Sequence, residues 1–280
     1  LNGVIGGSAA IGVFSVSGTS NLGANVTTTG TQTYTGAVTL STNVTLTANS
    51  STSNLTFQST VNSDGSTRNL TLAAGSAVIS VSNAIGGSAA LGTLTITQSG
   101  STTFTGAVNA DTVTLTDTAG NVTFSGSTTL TTLNTASQTY NVLFTGASNT
   151  ITNAVTFSNT GYIKFGDESG DSSTFNNSLT TTAPSGIRLG GKLQTSNDAM
   201  SLGDANTAIV LYANSELDTG SAALTINTTI DGGYNLTLKS TAATTFVGIV
   251  GGSTPLARIT TNSGGTVVFN TTAITTSGYQ

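Results

Sequence analysis

The sequence of 280 residues has no Cys, no His and no Trp, only 2 Pro, and 6% charged side chains. Without imidazole or thiolate groups, the chain cannot form a Ser-His-Asp triad, a cysteine nucleophile, a zinc site with nitrogen or sulfur ligands, or a haem or iron–sulfur site. Carboxylates, Lys, Arg, Tyr and hydroxyl groups remain available for chemistry. Most familiar catalytic and metal centres are therefore excluded by composition.

Charge is scarce as well: 6 Lys and Arg stand against 11 Asp and Glu, for a net charge of −5. A nucleic-acid interface needs clustered basic side chains that neutralise phosphates, and this chain cannot supply them. Low charge does not indicate disorder here, because disordered chains are poor in apolar residues and this one is 36% hydrophobic. No apolar run is close to the length of about 20 residues that a membrane-spanning helix needs. We expect a folded chain without nucleic-acid binding or membrane insertion.

Threonine is the most conspicuous residue that is present, with 60 copies in the chain. Thr, Val, Ile, Phe and Tyr fit a pleated, half-buried surface, so the composition favours an all-β fold. A repeat architecture can extend without the size limit of a globular core, because each unit contacts only its neighbours.

A glycine-rich motif occurs three times, in residues 5–12, 85–92 and 250–257, where it begins Ile-Gly-Gly-Ser or Val-Gly-Gly-Ser. Residues 274–280 after the third copy also resemble residues 26–32 after the first. The pattern predicts one long period of about 245 residues that restarts near residue 250, within a single continuous segment 1–280. Since the chain has no initial Met and ends inside the pattern, we expect a segment of a longer tandem array.

A shorter repeat consists of an aromatic residue, any residue and Gly. It begins at Tyr34, Phe104, Phe124, Phe144 and Phe246, and the middle three are evenly spaced. We expect these rings to stack inward as core rather than to form a displayed platform for sugars. Apolar residues alternate strictly with Thr between these marks, for example in residues 44–47 and 94–97, which is typical of β-strands. Asp-Gly hairpin steps occur only at Asp64-Gly65 and Asp231-Gly232, which disfavours a sandwich or barrel. We predict a parallel β-helix (β-solenoid) of about 14 rungs with essentially no helix.

These repeats resemble a known class of protein. The motif at residues 85–91, the block 26–40 and Phe-Thr-Gly-Ala-Val at residues 104–108 are similar to repeats of filamentous-haemagglutinin-like or β-strand-repeat giant bacterial surface adhesins. The resemblance covers residues 1–160 and 220–280. It implies a secreted, right-handed parallel β-helix that forms an extended stalk, sheath or adhesive fibre, and it implies no catalytic residues.

Residues 162–218 differ from the rest because they concentrate the charge. They contain seven of the 11 acidic residues (Asp167, Glu168, Asp171, Asp198, Asp204, Glu216 and Asp218), together with Lys164, Arg188, Lys192 and Met200. The loop 166–171 offers carboxylate oxygens to a hard cation such as Ca²⁺. Its spacing matches neither an EF-hand nor the Gly-Gly-x-Gly-x-Asp repeat, so a solvated turn is the favoured interpretation and we predict no metal site.

The sequence permits three other interpretations of its polar residues. A polysaccharide-cleaving β-helix enzyme would have Asp167, Asp171, Arg188, Lys192, Asp198 and Asp204 as its candidate residues. An ice-binding face would use Thr pairs such as Thr45/Thr47, Thr95/Thr97 and Thr114/Thr116. Glycosylation triplets are frequent and include those that begin at Asn25, Asn43, Asn54, Asn69, Asn121, Asn227 and Asn235, but alternating Thr strands that follow turn Asn residues create such triplets by construction. None of these interpretations is favoured.

The favoured function is therefore a non-catalytic structural segment of a bacterial cell-surface fibre, sheath or giant adhesin. We expect no catalytic residues, no cofactor and an extracellular location. The expected partners are copies of the chain itself, joined head-to-tail or laterally, or adjacent repeats of the same chain. The alternative is a module that binds host or matrix glycans or another cell, and residues 162–218 are where such recognition would be sought.

Overall fold

The computed structural model describes residues 1–261 and 264–278, and none of these residues is helical. The expected match between residues 274–280 and residues 26–32 therefore lies partly outside the described residues. The chain forms two compact units, Leu1–Tyr140 (unit 1) and Asn141–Gln280 (unit 2).

Unit 1 consists of short strands joined by turns. Its strands are β1 (Phe14–Val16), β2 (Ser20–Leu22), β3 (Val26–Thr28), β4 (Gln32–Tyr34), β5 (Val38–Leu40), β6 (Val44–Ala48), β7 (Leu55–Phe57), β8 (Val61–Ser63), β9 (Leu70–Ala73), β10 (Val78–Val81), β11 (Leu91–Ser99), β12 (Ser101–Phe104), β13 (Val108–Thr118), β14 (Asn121–Phe124) and β15 (Thr128–Thr135). The stack of β1, β4, β7, β10, β12 and β14 forms one face of this unit.

Unit 2 has the same construction. Its strands are β16 (Asn141–Phe144), β17 (Ser148–Ile151), β18 (Val155–Thr156), β19 (Ile163–Phe165), β20 (Ser172–Phe175), β21 (Leu179–Thr181), β22 (Gly186–Thr195), β23 (Met200–Leu202), β24 (Ala208–Gly220), β25 (Leu224–Ile226), β26 (Ile230–Asp231), β27 (Asn235–Ser240), β28 (Thr244–Phe246), β29 (Arg258–Thr261) and β30 (Val267–Phe269). Its first face consists of β16, β19, the first halves of β22 and β24, and β26.

The predicted parallel β-solenoid is confirmed, because each strand pairs in parallel with a strand about one turn away in the sequence. The chain makes about 12 turns. The prediction of about 14 rungs extended the even spacing of the aromatic marks to the whole chain. Phe14 pairs with Gln32 and Val44 pairs with Leu70, so one turn is shorter than that spacing and another is longer. Longer turns between strands account for the smaller number of rungs, and the right-handed winding stays a prediction.

Alternation along each strand builds the core. In Val44–Ala48 the apolar side chains are buried and the intervening Thr side chains are half-buried, as the period of two requires. The aromatic marks point inward and stack between turns. Ring centroids lie 5.0 Å apart in Tyr34–Phe57 and 5.1 Å apart in Phe104–Phe124. The expectation that these rings form core rather than a displayed platform is confirmed at these positions.

Glycine in the aromatic-x-Gly repeat is required by the close approach of two turns. A Cβ atom at Gly36 would clash with the backbone of Gly18, and one at Gly126 would clash with the backbone of Gly106. A Cβ atom at Gly248 would clash in the same way with the backbone of Thr228. The repeat thus combines an inward ring with a corner at which only hydrogen fits.

The Gly-Gly-Ser motif is a recurring turn. Its first glycine has a positive φ in all three copies: +73° at Gly6, +68° at Gly86 and +69° at Gly251. The residue before each of these glycines bridges to a parallel neighbour, as Ile5 does to Val26 and Val250 does to Ile274. The sequence repeat is therefore a repeat of backbone conformation, which glycine adopts without steric cost.

Buried tyrosines are anchored inside unit 1. The Tyr34 hydroxyl donates to Gln32 Oε1 at 3.0 Å, and Gln32 Nε2 donates to the Thr47 carbonyl at 2.9 Å. The Tyr140 hydroxyl donates to the Leu115 carbonyl at 3.1 Å. Burial raises the pKa of Tyr34 well above its usual range and raises the pKa of Tyr140 to about 12.

These raised pKa values predict a loss of stability in alkali. The contribution of the two buried tyrosines to the free energy of unfolding is complete below the unfolded-state pKa of about 10. It falls as the pH rises above that value, because the tyrosines of the unfolded chain release their protons while Tyr34 and Tyr140 of the folded chain retain them. The urea midpoint should decrease between about pH 10 and pH 12. A double variant with Tyr34→Phe and Tyr140→Phe should show a smaller decrease. An identical pH dependence in this variant would contradict the assignment.

Asparagine side chains connect successive turns at the corner before strands β3, β6 and β9. Asn25 Oδ1 accepts from the Thr45 amide at 2.8 Å, Asn43 Oδ1 from the Asn69 amide at 2.9 Å, and Asn69 Oδ1 from the Thr93 amide at 2.8 Å. Each side-chain oxygen takes the place of a backbone carbonyl in the ladder. Several Asn residues of the glycosylation triplets therefore have a structural role.

Replacing one of these residues tests the role. Asn69→Ala removes the acceptor of the Thr93 amide and should lower the free energy of unfolding by about 1 kcal/mol. Asn69→Asp keeps an oxygen at the same place and serves as the matched control, with most of the stability retained. Chemical denaturation measures both. Equal stability of Asn69→Ala and the unmodified chain would exclude this role.

Candidate functional site

The acidic loop 166–171 is closed by its own last carboxylate. Asp171 Oδ2 accepts from the amides of Asp167 and Glu168 at 2.9 and 3.1 Å, and Lys164 Nζ lies 3.3 Å from Asp167 Oδ2. The loop turns through Gly166, whose φ is +69°. Within residues 1–261 and 264–278, no group of three or more acidic side chains comes together in a way that could hold a metal ion. The geometry is that of a hydrogen-bonded turn.

A second group of charges forms an ion-pair network on the outer side of β22, β24 and β27. Lys192 Nζ lies 3.3 Å from Glu216 Oε1 and 2.9 Å from Asp218 Oδ2, and Lys239 Nζ lies 2.9 Å from Glu216 Oε2. Burial opposes charge on Lys192, but the bonds to Asp218 and Glu216 outweigh it and raise the Lys192 pKa. The network joins three successive turns.

The remaining acidic candidates belong to turns. Asp204 Oδ1 accepts from the Asn206 amide at 2.8 Å and from the Thr207 hydroxyl at 2.9 Å, and these bonds lower the Asp204 pKa. The backbone carbonyl of Asp198 accepts from the Thr195 hydroxyl. Among the six candidates for polysaccharide cleavage, the structure thus engages Asp171 and Asp204 in their own turns and Lys192 in an ion-pair network.

Arg188 lies apart from that network, on the first face of unit 2. Its Cζ is 3.6 Å from the ring centroid of Tyr162 and 5.6 Å from that of Tyr212. Lys164, one turn before Arg188 in register, has its Nζ 5.9 Å from the Tyr212 ring centroid. We call Tyr162, Arg188 and Tyr212 the tyrosine–arginine cluster. Sequence reasoning singled out Arg188 but missed both tyrosines, whose signal is their position about one turn before and one turn after Arg188.

The outward Thr side chains form one continuous row, and a second row of Thr is interrupted by other residues. Thr45, Thr71, Thr95 and Thr114 lie in register on successive turns. The neighbouring row continues from Thr47 to Ala73 and then to Gln98, so the Thr45/Thr47 pair is not repeated on the next two turns.

Comparison of the chain with protein-family models, with curated proteins and with solved structures finds no match. In the part of the chain that the structure describes, no helix is long and apolar enough to cross a membrane.

Proposed function

We propose that this chain is a non-catalytic structural segment of an extracellular bacterial fibre, sheath or giant surface adhesin, and that its function is to extend by stacking solenoid turns. The observation that carries the proposal is the pair of open strand edges. Among the described residues, β1 pairs with β4 on one side, and β30 pairs with β28 on one side. An unpaired edge is a template for a further strand.

Apolar side chains are exposed at both edges. Val4 and Val13 are 61% and 67% exposed near β1, and Phe269 of β30 is 43% exposed although it stacks on Phe246 at 5.1 Å. Phe246, which is in register with Phe269 one turn earlier, is fully buried. Another turn stacked on β30 would cover Phe269 in the same way, and a turn stacked on either edge would pair the free backbone, which supports association with further copies or repeats.

The turn geometry supports the same stacking at both edges. The motif at Gly6 belongs to the first turn of unit 1, the motif at Gly251 belongs to the last turns of unit 2, and both have the same backbone conformation. A turn that carries the Gly6 motif is thus compatible with the turns next to the Gly251 motif, and the reverse also holds. The low charge of the chain leaves little repulsion between stacked copies.

An edge-blocking variant tests the proposal. Thr266 accepts from the Thr244 amide and Asn270 donates to Phe246, so the backbone amide of Val267 faces the open side of β30. Val267→Pro removes this amide without removing a bond to β28. Val267→Thr keeps it and is the matched control.

We expect the unmodified chain and Val267→Thr to form filaments with a repeat of about 4.8 Å along the axis. Electron microscopy, fibre diffraction and sedimentation at several concentrations measure this. Val267→Pro should remain small while its circular dichroism spectrum stays unchanged. A monodisperse monomer of the unmodified chain at all concentrations, or equal filaments from Val267→Pro, would contradict self-association. Antibody labelling of intact cells tests the extracellular location.

A further inference from the structure

Arg188 is a positioned guanidinium without a polar partner. Among the described residues it makes no ion pair and donates no hydrogen bond, although it is half-buried. The cation–π contact with Tyr162 holds the guanidinium without using its N–H groups. These groups form a rigid fork that matches a carboxylate.

The carboxylates near this cluster are already engaged. Asp167 is paired with Lys164, and Asp231, which is in register with Val210 on the following turn, accepts from the amides of Ser253 and Thr254 at 2.8 and 3.0 Å. Among the described residues, Arg188 therefore has no carboxylate partner of its own. An anionic ligand is the complementary occupant.

Exposed aromatic and aliphatic side chains lie beside the guanidinium on the next turn. Tyr212 is 45% exposed and Val210 is 36% exposed, while Gly186, beside Arg188 in β22, has no side chain. Leu143, Lys164, Arg188 and Val210 follow one another in register, one per turn. Turns are about 4.8 Å apart, close to the length of one pyranose unit in a polysaccharide. A linear chain of sugars can lie along this row with its units matched to the turns.

We propose that the tyrosine–arginine cluster binds a uronic acid unit of an acidic polysaccharide. The guanidinium of Arg188 binds the sugar carboxylate through two parallel hydrogen bonds. The exposed ring of Tyr212 packs against the C–H face of the pyranose, and Lys164 adds a positive charge one turn away. Binding requires only the surface of unit 2, so it goes beyond the proposed structural function and does not depend on filament formation.

The test measures binding of a galacturonate oligomer of about ten units to the 280-residue chain at low salt, by calorimetry. The same oligomer with methyl-esterified carboxylates and a poly-glutamate of similar length are the ligand controls. Arg188→Gln should weaken binding at least about 10-fold, and Arg188→Lys should restore little because a point charge lacks the fork. Tyr212→Ala should also weaken binding. Arg258→Gln and Tyr234→Ala change an exposed arginine and an exposed tyrosine elsewhere, and should leave it unchanged.

Four results would overturn the proposal: no binding by the unmodified chain, equal binding of the methyl ester, equal binding of poly-glutamate, or an equal loss in Arg258→Gln. The two ligand comparisons use the unmodified chain, so they decide the question even where a variant fails to fold. Filament formation is measured separately under the same conditions. Filaments without polysaccharide binding would contradict this proposal and leave the structural function standing. Polysaccharide binding without filaments would contradict the structural function and leave this proposal standing.

Discussion

Gly126→Ala should destabilise unit 1 by about 3 kcal/mol or more, which is a large share of the stability of a domain. The added Cβ would meet the carbonyl carbon and oxygen of Gly106 one turn earlier, and these backbone atoms can move only if the two turns separate. A flexible side chain could yield at small cost, whereas a ladder of paired strands cannot. Urea denaturation followed by circular dichroism measures the change.

Gly18 provides the matched control. It occupies the equivalent corner in the first turn, where a Cβ would have no atom within 4 Å, and its backbone is the surface against which Gly36 packs. Gly18→Ala should therefore leave the free energy of unfolding almost unchanged. If both variants were equally stable, close approach of the turns would not be the reason for glycine in the aromatic-x-Gly repeat.

The second large effect is expected at the aromatic stack. Phe104 is fully buried, and Phe104→Ala should cost about 3–5 kcal/mol because it removes a ring from the stack with Phe124 and leaves a cavity. Since each turn contacts its neighbours, hydrogen exchange should accelerate first in β10 and β14, the strands on either side of β12.

Phe269→Ala is the control for this substitution. The Phe269 ring is 43% exposed and also stacks on one neighbour, Phe246, so the same change of side chain removes less buried area. Its effect should be clearly smaller than that of Phe104→Ala. Similar losses at the two positions would show that burial within the stack does not set the cost.

Local patterns were sufficient to predict the strands and the inward rings. The alternation in residues 44–48 is visible without any tertiary information, and so is the mark at Phe104. The number of turns was not predictable in the same way, because it depends on loop length. The loop between β8 and β9 lengthens the turn that separates Val44 from its partner Leu70, and no strand pattern records such an insertion.

The charged stretch shows a similar limit. Sequence alone placed Arg188, Lys192 and Glu216 in one region, but the pairing of Lys192 with Glu216 depends on a local register that is longer than the even spacing of the marks around Phe124. The position of Arg188 between two tyrosines depends on the same local spacing. A fixed period assigns the wrong neighbours wherever turn lengths vary.

The Asn residues illustrate a different limit. Asn25, Asn43 and Asn69 stood out in the sequence as the first residues of glycosylation triplets, and the triplets were attributed to turn Asn residues that precede alternating Thr strands. The structure adds a reason for Asn at these turns, because each side-chain oxygen accepts from an amide one turn later. That requirement exists only between turns and is not visible within one turn.

The ladder also determines where a protease can act. Trypsin binds its substrate segment in an extended conformation. The structure describes all six basic residues, and among them Arg68 alone lies outside a strand, in the turn before β9. The other five lie in β19, β22, β27 and β29. Brief digestion of the native protein should give two bands on a denaturing gel. The two pieces should still migrate together under native conditions, because β6 and β7 remain hydrogen-bonded to β9 and β10 across the cut.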